Sequence, residues 1–550
     1  MHKNNVFEQK ICIYVQNFVT LHANLNTMRR VVLFLCAFVA ASAMAQQDSF
    51  EEFRKRQQAS FNQFKSDQQA EFDEFRRRVN AEYADFMRKA WENFPAQEPE
   101  KPVKEPEVKP VVFEEEPAPQ PQDEPAPVAQ EPEEERAPKE DIAPITTPKT
   151  QIDTKPVEIA VKPVVVIIPA PEPEPEPIAP VEPKKEAYKR VTVNFFSTLA
   201  TIGFPANDNL KLAQLNENAI ADAWQQLAQP QYDITVKTAL DARKANNLCD
   251  WAYMQLLQAA CEKQYGKTNE AVLAEAFLMV QSGYRIRLGM ANSKLYMLIA
   301  SNYDIFDYVY YKLDGSKFYL ISQDQCRDMQ ITQAKYGKER SLSMQISKLP
   351  RLNSDPTPKR SLTSKKGVTA SASVNRNLID FFNTYPQACV SGKQTTRWAA
   401  YANTPLDKAV KDQLYPSLKK TIEGMSEREA VGILLNWVQT AFEYKFDDQV
   451  WGHDRAFFAQ ETLFYPYCDC EDRSILFSRL VRDLVGLDVV LLYYPGHLAT
   501  AVGFTNEVKG DYLIYNQRKY VVCDPTYINA GVGRTMPGMN NQEAQVIALK

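Results

Sequence analysis

Cys468-Asp469-Cys470-Glu471-Asp472-Arg473-Ser474, Pro495-Gly496-His497-Leu498-Ala499-Thr500 and Cys523-Asp524-Pro525-Thr526 lie in one stretch, 467–526. They set a thiol, an imidazole and a carboxylate in that order. Cys470, His497 and Asp524 are spaced equally, 27 residues apart, which leaves room for a helix plus a strand and then for a hairpin return. Asp469 has the chemistry of an N-cap, and Glu471 and Asp472 suit a first helical turn. Ile475, Leu476, Leu480 and Leu484 recur at helical spacing, and Gly486 stands where a C′ glycine ends a helix. The stretch 488–494 reads as a buried strand, Pro495-Gly496 as a turn, 497–504 as the next strand and 519–523 as another.

A cysteine at a helix N-terminus faces unpaired N–H groups and the positive end of the dipole, which favour the nucleophilic thiolate. Glu471 and Asp472 pull the other way, so a basic partner is needed. His497, projecting from a strand start, supplies one. Asp524 precedes a proline and is held extended. Its carboxylate suits the third role, orienting the imidazole and stabilising the imidazolium.

These residues resemble the transglutaminase-like superfamily, relatives of papain-like thiol proteases. The residues that carry the likeness are Cys470-Glu-Asp-Arg-Ser474, His497 and Asp524-Pro-Thr526. The pattern is closest to secreted transglutaminase-like proteins of Bacteroides-type bacteria. The resemblance implies Cys470 as nucleophile, His497 as general base and Asp524 as orienting acid. It implies an amidase or peptidase working through a thioacyl-enzyme, on a protein or peptide substrate such as a cell-wall peptide. Trp437-Val438 followed by Tyr444 is similar to the helix before the family's cysteine. Cys468 stands where a glycine is common in the family, placing a second thiol near the first.

Other readings of the same residues stay open. Cys468, Cys470, Cys523 and His497 have the chemistry of a structural zinc site, although Cys-x-Cys is tighter than the usual ligand spacing. Cys468 or Cys523 could instead be disulfide-bonded. A non-catalytic envelope scaffold with a degenerate domain is the rival class, and a protein-cross-linking transglutaminase is a third. No cofactor or metal is expected. Asp447 and Asp448 lack EF-hand spacing and read as solvated; His453 reads as a structural loop residue.

Outward from this stretch, the chain of 550 residues exceeds what one core can hold, and its charge of −5 gives no reason to expect a nucleic-acid partner. Residues 1–27 show no organised pattern and read as a gene-start artefact or a long n-region. Residues 28–45 have the basic, apolar and A-x-A parts of a secretory signal peptide. The expected location is therefore the periplasm or envelope of a Gram-negative bacterium. Without Cys12 and Cys36 the mature chain holds seven cysteines, an odd number, so at least one stays free or pairs between molecules.

Residues 46–94 repeat Phe50/Phe53, Phe61/Phe64, Phe72/Phe75 and Tyr83/Phe86 every 11 residues. That is a long helix with one aromatic face, suited to self-association or envelope contact. Residues 95–187 are rich in Pro and Glu and read as a stiff disordered linker. Residues 188–349 read as a module of helices (210–227, 236–264 and 270–281) followed by a β-meander with a turn at Asp314-Gly315. After a polar loop at 350–373, residues 375–550 form the transglutaminase-like domain, with a capping box at Ser426-Glu-Arg-Glu429. The expected class is α+β, the cysteine helix packing on an antiparallel sheet.

Overall fold

Apolar periodicity and turn chemistry together lay out this chain, seen here in a computed structural model that describes residues 47–103, 107–114, 158–159, 177, 187–322, 324 and 326–550. Residues 1–46, with the expected signal peptide, and most of the 95–187 spacer lie outside the described residues. Two units emerge. One comprises Met1–Lys101, Pro171–Met344 and Pro350–Asn353; the other comprises Pro102–Ala170, Gln345–Leu349 and Ser354–Lys550. Both mix helices with antiparallel sheets, an α+β architecture. No helix among the described residues is long and apolar enough to cross a membrane.

In the first unit the aromatic repeat does form a helix, Gln47–Met87. Its last turns are packed against the chain itself. Tyr83 sits 4.9 Å from the Trp224 ring and 5.1 Å from Tyr336, and Arg76 pairs with Asp233 at 2.7 Å. The stripe is exposed only further back, where Phe61 is 62 % accessible. The helix also stops short of residue 94. Trp91–Pro95 is a strand at the edge of a six-stranded sheet, paired antiparallel with Asp328–Thr332. The long helix expected at 236–264 is two helices, Asp233–Ala245 and Asp250–Tyr265, because Asn247 adopts φ +46° and breaks the repeat. Asp314 and Gly315 both take positive φ between Tyr310–Leu313 and Ser316–Leu320, as a tight hairpin requires.

The second unit begins before residue 375. The stretch expected as a loop holds a hairpin of Arg360–Thr363 and Thr369–Ala372. The helix Glu427–Thr440 starts with the Ser426/Glu429 capping box and buries Val431, Leu434, Leu435 and Val438. The helix Cys470–Leu484 buries Ile475, Leu476 and Leu480 against strands His497–Gly503 and Asp488–Tyr494. Each such side chain contributes about 2 kcal/mol of transfer free energy. Gly486, at φ +77°, donates its N–H to the Val481 carbonyl and ends the helix. The supporting sheet runs Glu158–Ile159, Tyr512–Tyr515, Arg518–Cys523, His497–Gly503, Asp488–Tyr494, Gln545–Ala548. Every pairing is antiparallel except the first.

Candidate functional site

Three local devices aim the three residues. Cys470 is the first residue of its helix, and Asp472 accepts the Asp469 N–H at 3.2 Å, half of a capping box. Tyr494 pairs directly with His497, so Pro495 and Gly496 make a two-residue turn in which Gly496 holds φ +77°. His497 therefore leaves the first position of a central strand, 2 % exposed. Asp524 follows the strand Arg518–Cys523. Its Oδ1 accepts the Thr526 and Tyr527 N–H groups at 2.8 and 3.2 Å.

The site closes around these aims. His497 Nε2 lies 2.9 Å from Asp524 Oδ2, and Nδ1 is buried with no hydrogen-bond partner among the described residues. With Nε2–H given to the carboxylate, Nδ1 carries the lone pair. The helix is latched to the histidine's strand one turn past the cysteine, where Ser474 Oγ donates to the Leu498 carbonyl at 2.8 Å. Cys470 and His497 border one cleft, open to solvent, whose walls include Trp398, Tyr444, Asp447, Asp454 and Gly496.

The thiol is not a preformed thiolate. Burial, then the charges of Glu471 and Asp469, raise the Cys470 pKa well above its ordinary value, and a backbone hydrogen bond from Leu498 only partly opposes them. Its S–H donates to Glu471 Oε2 at 3.1 Å. The expectation that a helix N-terminus favours the thiolate is thus outweighed here by local charge and desolvation.

Glu471, expected from sequence to oppose the thiolate, is the largest of these charges, whereas the burial of the acids around it was misjudged. Asp447, expected to be solvated, is buried together with Asp469, Glu471 and Asp472. The Asp447 carboxyl is pushed up to about 8, chiefly by burial and next by Glu471. Asp469 and Asp472 are raised well above the carboxylate range, by burial first and then by neighbouring carboxylates. Ligand atoms of Asp447, Asp469 and Asp472 gather within 4.8 Å of one another, as do those of Asp447, Asp454 and Glu471 and those of Asp469, Cys470 and Glu471. These are the oxygen-rich groups that could hold a hard divalent cation.

The zinc arrangement weighed from sequence is not assembled. Among the described residues no three of Cys468, Cys470, Cys523 and His497 bring ligand atoms that close. Cys468 Sγ turns to the Glu443 carbonyl at 3.8 Å, and Cys523 sits in the sheet opposite Thr500. All seven cysteines of the expected mature chain are free thiols. His453 is exposed, with Nδ1 3.0 Å from the Trp451 carbonyl oxygen, and is not part of the cleft wall.

Supporting residues escaped the sequence reading. Gln439 Nε2 donates to the carbonyls of Asp524, Tyr527 and Ala530 at 2.9, 2.7 and 3.1 Å, clamping the loop that carries the carboxylate. Arg473, 1 % exposed, donates to the carbonyls of Gln439 and Phe442 where that helix ends. Trp398 borders the cleft with its Nε1–H buried and unpartnered among the described residues. A polar side chain just outside a helix stripe was the only signal for Gln439, and many solvated glutamines share it.

In comparisons with known proteins, no family model, no curated protein and no solved structure matches the chain.

Proposed function

We propose that this chain is an exported cysteine-dependent amidase or peptidase of transglutaminase-like type, acting in the periplasm or envelope through Cys470, His497 and Asp524. The observation that carries the reading is the buried 2.9 Å contact of His497 Nε2 with Asp524, which leaves Nδ1 as an unpartnered base beside the cysteine cleft. The helix bearing Cys470 on an antiparallel sheet supports a papain/transglutaminase-like fold. Because the thiol pKa is raised, the proton leaves only as His497 Nδ1 accepts it, coupled to attack of sulfur on an amide carbonyl. The Cys470 S–C bond forms and the carbonyl oxygen takes the charge. His497 then returns the proton to the leaving amine, giving a thioacyl-enzyme. Water releases an acid; an amine in its place forms a cross-link. Trp398 Nε1–H, lacking an acceptor at the cleft wall, is the donor suited to the developing oxyanion.

The burial of Cys470 and its hydrogen bond to Glu471 favour a second reading, an envelope scaffold whose triad no longer turns over. Iodoacetamide labelling of the mature protein against pH, with site mapping by peptide mass spectrometry, separates the two. The enzyme reading expects labelling of Cys470 at neutral pH to depend on the imidazole, so that His497→Ala labels more slowly than wild type. Equal rates in both proteins would leave the scaffold.

A further inference from the structure

The proline-rich stretch expected to be a disordered linker does not stay off the second unit. Residues 107–113 lie along the loop that follows Asp524. Phe113 N–H donates to the Ile528 carbonyl at 2.7 Å, Ile528 N–H donates to the Val111 carbonyl at 2.9 Å, and Val112 bridges Ile528 in parallel. Val108, Val111 and Phe113 pack on Tyr527, Ala530 and Met536, with the Phe113 ring 5.8 Å from Tyr527 and edge-on to it. Glu107, Lys109, Val112 and Glu114 face solvent. Tyr444 OH donates to the Val108 carbonyl at 3.5 Å. Val103, Glu107 and Val108 then form part of the wall of the cleft that holds Cys470 and His497.

We infer that residues 107–113 are a tethered, substrate-like occupant of this site, and that the cleft is built for an extended polypeptide with apolar side chains docked along 527–536. The inference rests on the proposed function and names its substrate class. An extended chain is what the surface selects: it offers the Ile528 N–H and carbonyl for β-pairing and an apolar floor for side chains of one face. Pro110, within the segment, favours extended backbone at small ordering cost. Two backbone hydrogen bonds and half-buried side chains are a weak hold, made effective by the tether. A polypeptide in trans therefore binds after displacing the segment, and Cys470 is shielded until it does.

The test is Cys470 alkylation in the full chain. Phe113→Asp with Val111→Asp should raise the labelling rate about tenfold, the change expected when roughly 1.4 kcal/mol of docking is lost. A synthetic peptide of residues 102–114 should then slow it towards the wild-type rate. Hydrogen exchange gives a second measurement: the Ile528 amide should lose protection in the variant while amides of Cys470–Leu484 keep theirs. Unchanged labelling, or acceleration that the peptide does not reverse, overturns the inference. Failure of the proposed function reads differently. If His497→Ala leaves labelling of the lifted variant unaltered, the thiol–imidazole pair is wrong while the occupant stands.

Discussion

Replacing Asp524 with Asn tests the site through a tautomer. Asp524 Oδ1 accepts two backbone N–H groups, from Thr526 and Tyr527, and Oδ2 accepts His497 Nε2–H. Asparagine has one oxygen to offer. If that oxygen serves the two backbone donors, its NH2 group faces Nε2, which must then become the acceptor, and the proton moves to Nδ1. If the amide turns over, the Thr526 and Tyr527 donors are left without an acceptor in a buried loop. Each such donor costs about 1–3 kcal/mol, so the turned form lies ~2–6 kcal/mol higher. At about 1.4 kcal/mol per decade, the base-competent tautomer falls by a factor between ~30 and ~10⁴.

Two readouts check this without a substrate. The chain has four histidines, so ¹⁵N spectra of the labelled protein can be assigned by single substitutions. Wild type should show His497 protonated at Nε2, and Asp524→Asn should show it at Nδ1. Neutral-pH alkylation of Cys470 should fall by at least about 30-fold in the same variant. Asp524→Ala imposes no tautomer and should lose less. An Nε2-protonated His497 in Asp524→Asn, with alkylation within a few-fold of wild type, would refute the reasoning.

Glu471→Gln removes the largest charge raising the Cys470 pKa, so the alkaline limb of its alkylation profile should move to lower pH; a shift upward or none contradicts the charge assignment. Gln439→Leu removes two amide hydrogens shared among three carbonyls and should cost about 2 kcal/mol in urea unfolding, at ~1 kcal/mol per hydrogen; a change under about 0.5 kcal/mol would show the clamp is not needed. Burial, with Glu262 second, lifts buried Glu275 from its ordinary value near 4.5 to about 8. The folded chain thus keeps a proton that the unfolded chain releases. That contribution is complete below about pH 4.5 and is lost as pH rises to about 8, on the order of 5 kcal/mol in all. Glu275→Gln should flatten the fall in melting temperature between pH 5 and 8; an unaltered slope would exclude Glu275 as its source. Trp398→Phe should lower turnover about 10²-fold or more, as loss of an oxyanion donor does, while alkylation of Cys470, which forms no oxyanion, stays as in wild type.

What the sequence made legible was local. The cysteine helix, its glycine stop, the Pro495-Gly496 turn and the Ser426 capping box are each written within a few residues, and each formed. What stayed hidden depends on distant segments meeting. The period of residues 46–94 specified a helix, yet nothing in it told that Tyr83 would meet Trp224, more than a hundred residues on. Composition led to the expectation that residues 95–187 have no core of their own, and most of that stretch lies outside the described residues. It could not say that residues 107–113 would borrow the apolar face of Tyr527 and Met536.

The carboxylates around Cys470 show the same limit and sharpen the chemistry. Read alone, Asp447 was one of two acids in a polar loop. The short parallel pairing of Glu443–Tyr444 with Tyr467–Cys468 sets the chain that carries it beside the start of the cysteine helix, and burial then raises the cost of its charge. A helix N-terminus offers about half a positive charge. Against it stand Glu471 and Asp469, acting through a medium less polar than water, where each charge counts for more. The balance therefore goes to the thiol. Any catalysis at Cys470 must move the proton during attack, to a base whose lone pair is already fixed, and that requirement is what gives the His497–Asp524 contact its meaning.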